Sequence, residues 1–196
     1  MVASNVISVL CLAAAFVTAH PINEQLAARQ FGSITSTQSA SSSYQSLTNQ
    51  IRTLRENIAA GRVSVSEARS QFQSFSSQAS STFSAINGCS TCFTSSSAVT
   101  IFCFQSSLSE SARQTYSELD SLIDTSNRVY GQQAPTVLSP FSNLDSQFQQ
   151  NLNLFSQSGV GLQSIVPPTF TNNLSRVGLS QTANYASHYV GGSSGF

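Results

Sequence analysis

The sequence is poor in the side chains that carry out much of protein chemistry. It contains no lysine and no tryptophan, and its eight cations are all arginines. Eight aspartates and glutamates balance them, and charged residues make up only 8% of the chain. A chain without a basic patch cannot neutralise a phosphate backbone, which excludes a nucleic-acid-binding role. The absence of lysine excludes Schiff-base chemistry.

Histidine is also scarce, because only His20 and His188 are present. Two histidines so far from the cysteines cannot complete a four-ligand zinc site. We therefore expect no cofactor. One alternative is a copper site, in which His20 becomes the N-terminal residue after signal cleavage and His188 supplies a second imidazole. The helical pattern described below argues against it, because copper monooxygenases that use an N-terminal histidine are β-sandwiches.

The single long apolar run lies near the N-terminus, from Val6 to Val17. It is too short to span a membrane as a helix, and it ends at small residues that a signal peptidase reads. Residues 1–19 are therefore predicted to be a signal peptide that is cleaved after Ala19. We expect the mature protein to be secreted, and to be extracellular or associated with a cell wall, with no transmembrane segment.

The rest of the chain divides into three segments. Residues 20–40 are predicted to be a propeptide or a disordered Ser/Thr-rich N-terminal segment. Within them, Arg29 precedes Gln30 in a pattern that resembles the propeptide junctions of fungal secreted proteins, so Arg29 is a candidate second cleavage site. Residues 41–190 are predicted to form a helical domain, and residues 191–196 a flexible C-terminal tail.

Apolar residues spaced three and four apart predict two helices in the first half of that domain. The first helix ends before Gly61, a C-cap signal. The second begins at Ser64, which has capping-box spacing to Glu67, and ends at Gly88. The apolar run within residues 89–105 fits a helix or a buried strand, and its helical neighbours favour the helix.

Similar stripes predict helices in the second half. One runs to Tyr130, and residues 131–138 are predicted to be a loop. Ser139 is predicted to cap the next helix, with Pro140 at its first position. A weaker pattern follows from about Asn172. The predicted fold class is all-α: an antiparallel bundle of four to five amphipathic helices with a disulfide near the middle of the chain.

Phenylalanine dominates the apolar stripes, with 13 residues in the whole chain. Core packing is the expected role of these rings. The alternative is an apolar ligand face on two of the helices, which would be formed by Phe72, Phe75, Phe83, Phe141, Phe148 and Phe155.

Three cysteines remain after signal cleavage, and in an oxidising compartment two of them should pair. The favoured prediction joins the turn that contains Cys89 and Cys92 to Cys103. One alternative pairs Cys89 with Cys92 and leaves Cys103 as a small core residue. Another is a redox pair, which the Cys-Ser-Thr-Cys spacing invites but the absence of a βαβ unit disfavours.

Two further features concern the surface. Glu110 and Arg113 are three residues apart on a predicted helix and should form an ordinary surface ion pair. Asn173-Leu174-Ser175 is an N-glycosylation sequon in a chain that is predicted to enter the secretory pathway.

Taken together, a signal ending at Ala19, the Arg29-Gln30 junction and a Ser/Gln-rich, lysine-free helical body resemble the small secreted proteins of filamentous fungi. The chain is also similar in architecture to the fungal hydrophobic-surface-binding and cell-wall galactomannoprotein group. That resemblance implies a non-enzymatic extracellular role, and it assigns no functional residue.

The leading hypothesis is therefore a secreted non-enzymatic binding or interaction protein, either an effector or a binder of cell-wall material or lipid. Its partner would be an apolar ligand, a cell-wall component or a host protein. One alternative is a secreted redox or copper protein that uses Cys89 and Cys92 or His20. The other is a structural cell-wall glycoprotein.

Overall fold

The computed structural model describes residues 34–93 and 101–190, apart from the side chains of residues 101–106 and 190, and within these ranges it contains helices and no strands. The predicted all-α fold is therefore confirmed. No helix in these two ranges combines the length and the apolar character that a bilayer crossing requires. The predicted signal cleavage site at Ala19, the junction at Arg29 and the C-terminal tail lie outside the described residues.

Eight α-helices follow one another along the described chain. Short 3₁₀ turns at residues 131–133, 139–144 and 162–164 connect several of them. The helices are α1 (Thr37–Ala59), α2 (Val65–Asn87), α3 (Ser90–Phe93), α4 (Ile101–Tyr130), α5 (Ala134–Leu138), α6 (Asp145–Gln157), α7 (Phe170–Arg176) and α8 (Ser180–Val190).

The ends of α1 and α2 show how local sequence fixes the bundle. Gly61 follows α1 with a φ of 65°, a left-handed conformation that favours glycine. The Ser64 hydroxyl accepts a hydrogen bond from the Glu67 amide at 3.4 Å, as the capping sequence predicts. α1 itself begins at Thr37, four residues before the predicted start of the domain. A capping box between Ser36 and Ser39 explains that earlier start.

Two predictions for the stretch between α4 and α6 are wrong in detail. The segment 131–138 is not a loop but a 3₁₀ turn followed by α5. Ser139 does not cap a helix, because its hydroxyl donates to the Thr136 carbonyl and the chain continues as a 3₁₀ turn. This turn places Phe141 and Leu144, three residues apart, on one buried side, which suits its three-residue period.

The C-terminal segment forms two helices where the pattern predicts one. α7 ends at Arg176, and Gly178 adopts a φ of 80°, which breaks the helix before α8. The residues on either side of this break, Val177 and Leu179, are both buried. The turn therefore lets both helices direct apolar side chains toward the same core.

Aromatic rings join the two halves of the chain across the core. Phe72 of α2 meets Phe141 with ring centroids 5.1 Å apart, and Phe83 of α2 meets Phe148 of α6 at 4.9 Å. Both pairs are edge-to-face, the arrangement that aromatic quadrupoles favour. The first half of the bundle thus depends on rings supplied after residue 138.

α1 and α4 lie close together along their length through small hydroxyl side chains. Thr48 and Thr115 are hydrogen-bonded at 2.8 Å, and Ser41 and Ser111 at 2.7 Å, and all four side chains are buried. Nearer the surface, Glu118 of α4 accepts hydrogen bonds from two arginines of α1. Serine and threonine are more common at helix caps than in helix interiors. Here their small side chains allow two long helices to pack closely.

One polar group lies at the centre of the apolar core. The Asn151 side chain is fully buried, and its oxygen accepts hydrogen bonds from the hydroxyls of Tyr44 at 2.6 Å and Tyr116 at 2.9 Å. Its amide nitrogen donates to the side-chain oxygen of Asn87 at 2.7 Å. Burial raises the pKa of both tyrosines well above their ordinary value. The Asn151 network therefore links α1, α2, α4 and α6.

We predict that Asn151→Ala destabilises the protein by about 3 kcal/mol, because it leaves two buried tyrosine hydroxyls without their acceptor and the Asn87 side-chain oxygen without its donor. The measurement is the free energy of unfolding from urea titration followed by circular dichroism.

The matched control is Asn143→Ala. Asn143 is exposed in the 3₁₀ turn that precedes α6, so its loss should change the free energy of unfolding by less than about 0.5 kcal/mol. Equal effects of the two substitutions would contradict the assigned role of the network.

Candidate functional site

The six phenylalanines considered as a ligand face are buried in the core. Their exposed fractions range from 0% to 7%, and Phe75 is the most accessible. They pack against one another and against neighbouring rings, with Phe75 and Phe141 5.8 Å apart and Phe83 and Phe148 in contact. These six side chains are packed into the core, as the core-packing interpretation expects.

The cysteines pair within one turn. Cys89 and Cys92 are joined by a disulfide with an S–S distance of 2.01 Å. The favoured pairing with Cys103 is therefore wrong. α2 ends at Asn87 and α3 begins at Ser90, so this single turn brings the sulfurs of Cys89 and Cys92 together. The side chain of Cys103 lies outside the described residues.

The disulfide turn is packed into the protein. Cys89 and Cys92 are 4% and 6% exposed, so thiol exchange with a partner has little access to either sulfur. Beside them, the Thr91 hydroxyl donates to the Thr35 carbonyl at 3.1 Å, and the ring of Phe93 meets Phe155 edge-on at 5.2 Å. The turn thus holds the start of α1 and the end of α6, a structural role.

We predict that the double substitution Cys89→Ser/Cys92→Ser lowers the free energy of unfolding by about 2 kcal/mol, because so short a closed loop restricts the unfolded chain only a little. Digestion of the parent protein with chymotrypsin, which cleaves after Phe93 and Phe102, should release Cys89 and Cys92 in one peptide. The mass of this peptide should be lower than that of its reduced form by two hydrogens.

Cys103→Ser serves as the control for this assignment. It should leave the mass of the disulfide-containing peptide unchanged. A peptide that links either of the two cysteines to Cys103 would overturn the pairing.

Only one histidine of the alternative copper site lies in the described part of the chain. His188 is exposed on α8, and His20 lies outside the described residues. Within residues 34–93 and 101–190, no group of three or more histidine, cysteine or acidic side chains converges to hold a metal ion.

The carboxylates of α4 each have their own partners. Glu110 forms the predicted ion pair with Arg113 at 2.6 Å, and hydrogen bonds from Arg113 and Gln114 lower its pKa to about 2. Glu118 lies between Arg52 and Arg55 of α1, and Asp124 pairs with Arg128. The acids therefore do not form an isolated pair of the kind that glycoside hydrolysis uses.

A polar cleft lies where α4 faces α7. The Asp120 carboxylate accepts hydrogen bonds from the Thr169 hydroxyl at 2.6 Å and from the Asn173 amide nitrogen at 2.8 Å. Arg55 and Arg128 line the same cleft, whose volume is about 300 Å³. Sequence reasoning found Asn173 as a sequon but missed its contact with Asp120, because the two residues are far apart in the chain.

A second cleft lies between α6 and α8, and we call it the α6–α8 groove. It is lined by Ser146, Gln149, Gln150 and Asn153 of α6 and by Tyr185 of α8, and its volume is about 320 Å³. The Tyr185 hydroxyl donates to the Asn153 side-chain oxygen at 3.1 Å. No sequence motif marks this groove, because glutamine and asparagine are common throughout the chain.

Part of the chain is similar to a known family. Residues 38–132 match the sequence model of the infection structure-specific protein 24-like family. This is a family of fungal type, which is consistent with a fungal small secreted protein. The matched segment runs from α1 to the turn after α4 and covers just under half of the chain. No curated protein and no solved structure gives a significant match.

The cleft at Asp120 has a direct consequence for the predicted glycan at Asn173. The nitrogen that would carry the glycan is the one that donates to Asp120. We predict that Asn173→Ala and Ser175→Ala both abolish the mass shift on enzymatic deglycosylation of the secreted protein. Only Asn173→Ala should also lower stability, by about 1 kcal/mol, because it removes the hydrogen bond to Asp120.

Comparing the two variants separates the glycan from the hydrogen bond, since Ser175→Ala destroys the sequon but keeps Asn173. If the parent protein shows no mass shift, the predicted glycosylation is wrong. If the two unglycosylated variants are equally stable, the hydrogen bond to Asp120 contributes nothing measurable.

Proposed function

We propose that this protein is a secreted, non-enzymatic interaction protein that acts as an effector during fungal infection. The observation that carries the proposal is the match of residues 38–132 to a family named for infection structures. The signal peptide predicted at residues 1–19 supports secretion, and a chain that meets its partners outside the cell needs such a signal.

The geometry supports an interaction role in preference to catalysis. The disulfide of Cys89 and Cys92 is buried, which disfavours redox exchange, and His188 is exposed on α8. Most large apolar side chains are buried in the core, and two clefts lined mainly by polar residues are accessible at the surface of the described chain. Low charge makes long-range steering weak, and recognition would rely on neutral hydrogen-bonding contacts.

We predict that deleting the gene from the fungus that encodes it reduces infection of the host without slowing growth in culture. Reintroducing the full chain should restore infection, whereas a chain that lacks residues 1–19 should remain inside the cell and fail to restore it. The measurements are lesion or colonisation counts and immunoblots of culture fluid.

A third complementing gene, which carries Cys89→Ser/Cys92→Ser, tests the redox alternative. We expect it to restore infection, because the disulfide has a structural role in the proposal. A secreted and folded double variant that fails to restore infection would favour redox chemistry. Normal infection by the deletion strain would contradict an effector role.

A further inference from the structure

The α6–α8 groove carries polar side chains that the fold leaves unused. Ser146, Gln149, Gln150 and Asn153 are three, four and seven residues apart, which places them on one face of α6. The side chains of Gln149 and Gln150 form no hydrogen bond with any other described residue. Each amide presents two N–H donors and one carbonyl acceptor, so the groove offers free hydrogen-bonding capacity in both directions.

An exposed aromatic ring extends this groove along α8. Tyr189 follows Tyr185 by one helical turn, and their ring centroids are 5.2 Å apart. Its exposed fraction is 45%, and in the described residues only Val129, at 44%, is comparably exposed among large apolar side chains. The ring therefore presents a flat apolar surface beside a row of amides.

The groove contains no ionic group. The one charged residue of α6 is Asp145, whose carboxylate is buried and accepts hydrogen bonds from the backbone amides of Gln181 and Thr182 at 2.9 and 2.8 Å. α8 contains no arginine, lysine, aspartate or glutamate. A ligand that fits this surface should be uncharged, rich in hydroxyl groups and able to offer a flat C–H face to an aromatic ring.

Those three properties together describe a sugar ring. We propose that the α6–α8 groove binds a neutral oligosaccharide, which stacks on Tyr189 and receives hydrogen bonds from Gln149 and Gln150. The inference deepens the proposed function and rests on it, because wall polysaccharides are reached only by a protein outside the cell. The volume of the groove is at the lower end of the range of ligand pockets, which suits one or two sugar rings.

The test is isothermal titration of the full secreted protein with laminarihexaose, chitohexaose and cellohexaose. The first two represent glucan and chitin of fungal walls, and the third represents cellulose of plant walls. An oligogalacturonate of the same length is the charged comparison. We expect at least one neutral hexasaccharide to bind and the galacturonate not to bind. Absence of binding by all three neutral sugars would overturn the proposal.

Variants assign the binding to the groove. Tyr189→Ala should weaken binding by about tenfold, and Tyr189→Phe should retain it because the stacking ring is kept. The matched control is Val129→Ala, which shortens an equally exposed apolar side chain on α4 and should leave affinity unchanged. Sugar binding that survives both Tyr189→Ala and Gln149→Ala/Gln150→Ala would place the ligand elsewhere and refute the proposed site.

The two proposals fail separately. Sugar binding is measured on purified protein and does not depend on an infection phenotype. If no sugar binds but deletion still reduces infection, the effector role stands and the ligand class is wrong. If the sugar binds but deletion has no effect, the binding site stands and the role in infection is wrong.

Discussion

The Asn151 network is the constraint on which the arrangement of the helices depends. The side-chain amide of Asn151, which belongs to α6, accepts hydrogen bonds from tyrosine hydroxyls of α1 and α4 and donates one to α2. An apolar core of rings alone could slide by one turn at modest cost, because one phenylalanine can fill the place of another. The network permits one register, since any shift would leave tyrosine hydroxyls buried without partners. The aromatic contacts and the clefts at the surface then follow from that register.

The segment that resembles the known family does not form the whole core by itself. The matched residues include α1, α2, α3 and α4, but two of the rings that pack against α2, Phe141 and Phe148, come from residues beyond 138. Without the residues beyond 138, Phe72 and Phe83 of α2 would lose these two ring contacts, and Tyr44 and Tyr116 would lack Asn151. The α6–α8 groove also belongs wholly to the unmatched part, so the similarity to the infection-related family does not extend to it.

Much of this fold could be read from the sequence, and the reasons for the failures are physical. Long helices with regular stripes, such as α1 and α2, were predictable because burial of one face dominates their energetics. The 3₁₀ turn at Ser139 was not predictable, because the three-residue spacing of Phe141 and Leu144 fits an α-helix as well as a 3₁₀-helix. The disulfide partner could not be chosen from spacing alone. The two clefts could not be predicted from the sequence, because packing brings their residues together and no motif marks them. Examples are Asp120 with Asn173, and Gln149 with Tyr185.

Asp145 has a mechanical consequence for the surface beyond its contribution to packing. It is the first residue of α6, and its carboxylate caps the first turn of α8, so the two helices are fastened together at one end. The spacing between the two helices is therefore fixed at Asp145. Gln149 and Asn153 lie at increasing distance from Asp145 along α6, and Tyr185 and Tyr189 do so along α8. A small change in the angle between the helices would displace Tyr189 the most, while the spacing nearest Asp145 stays constant.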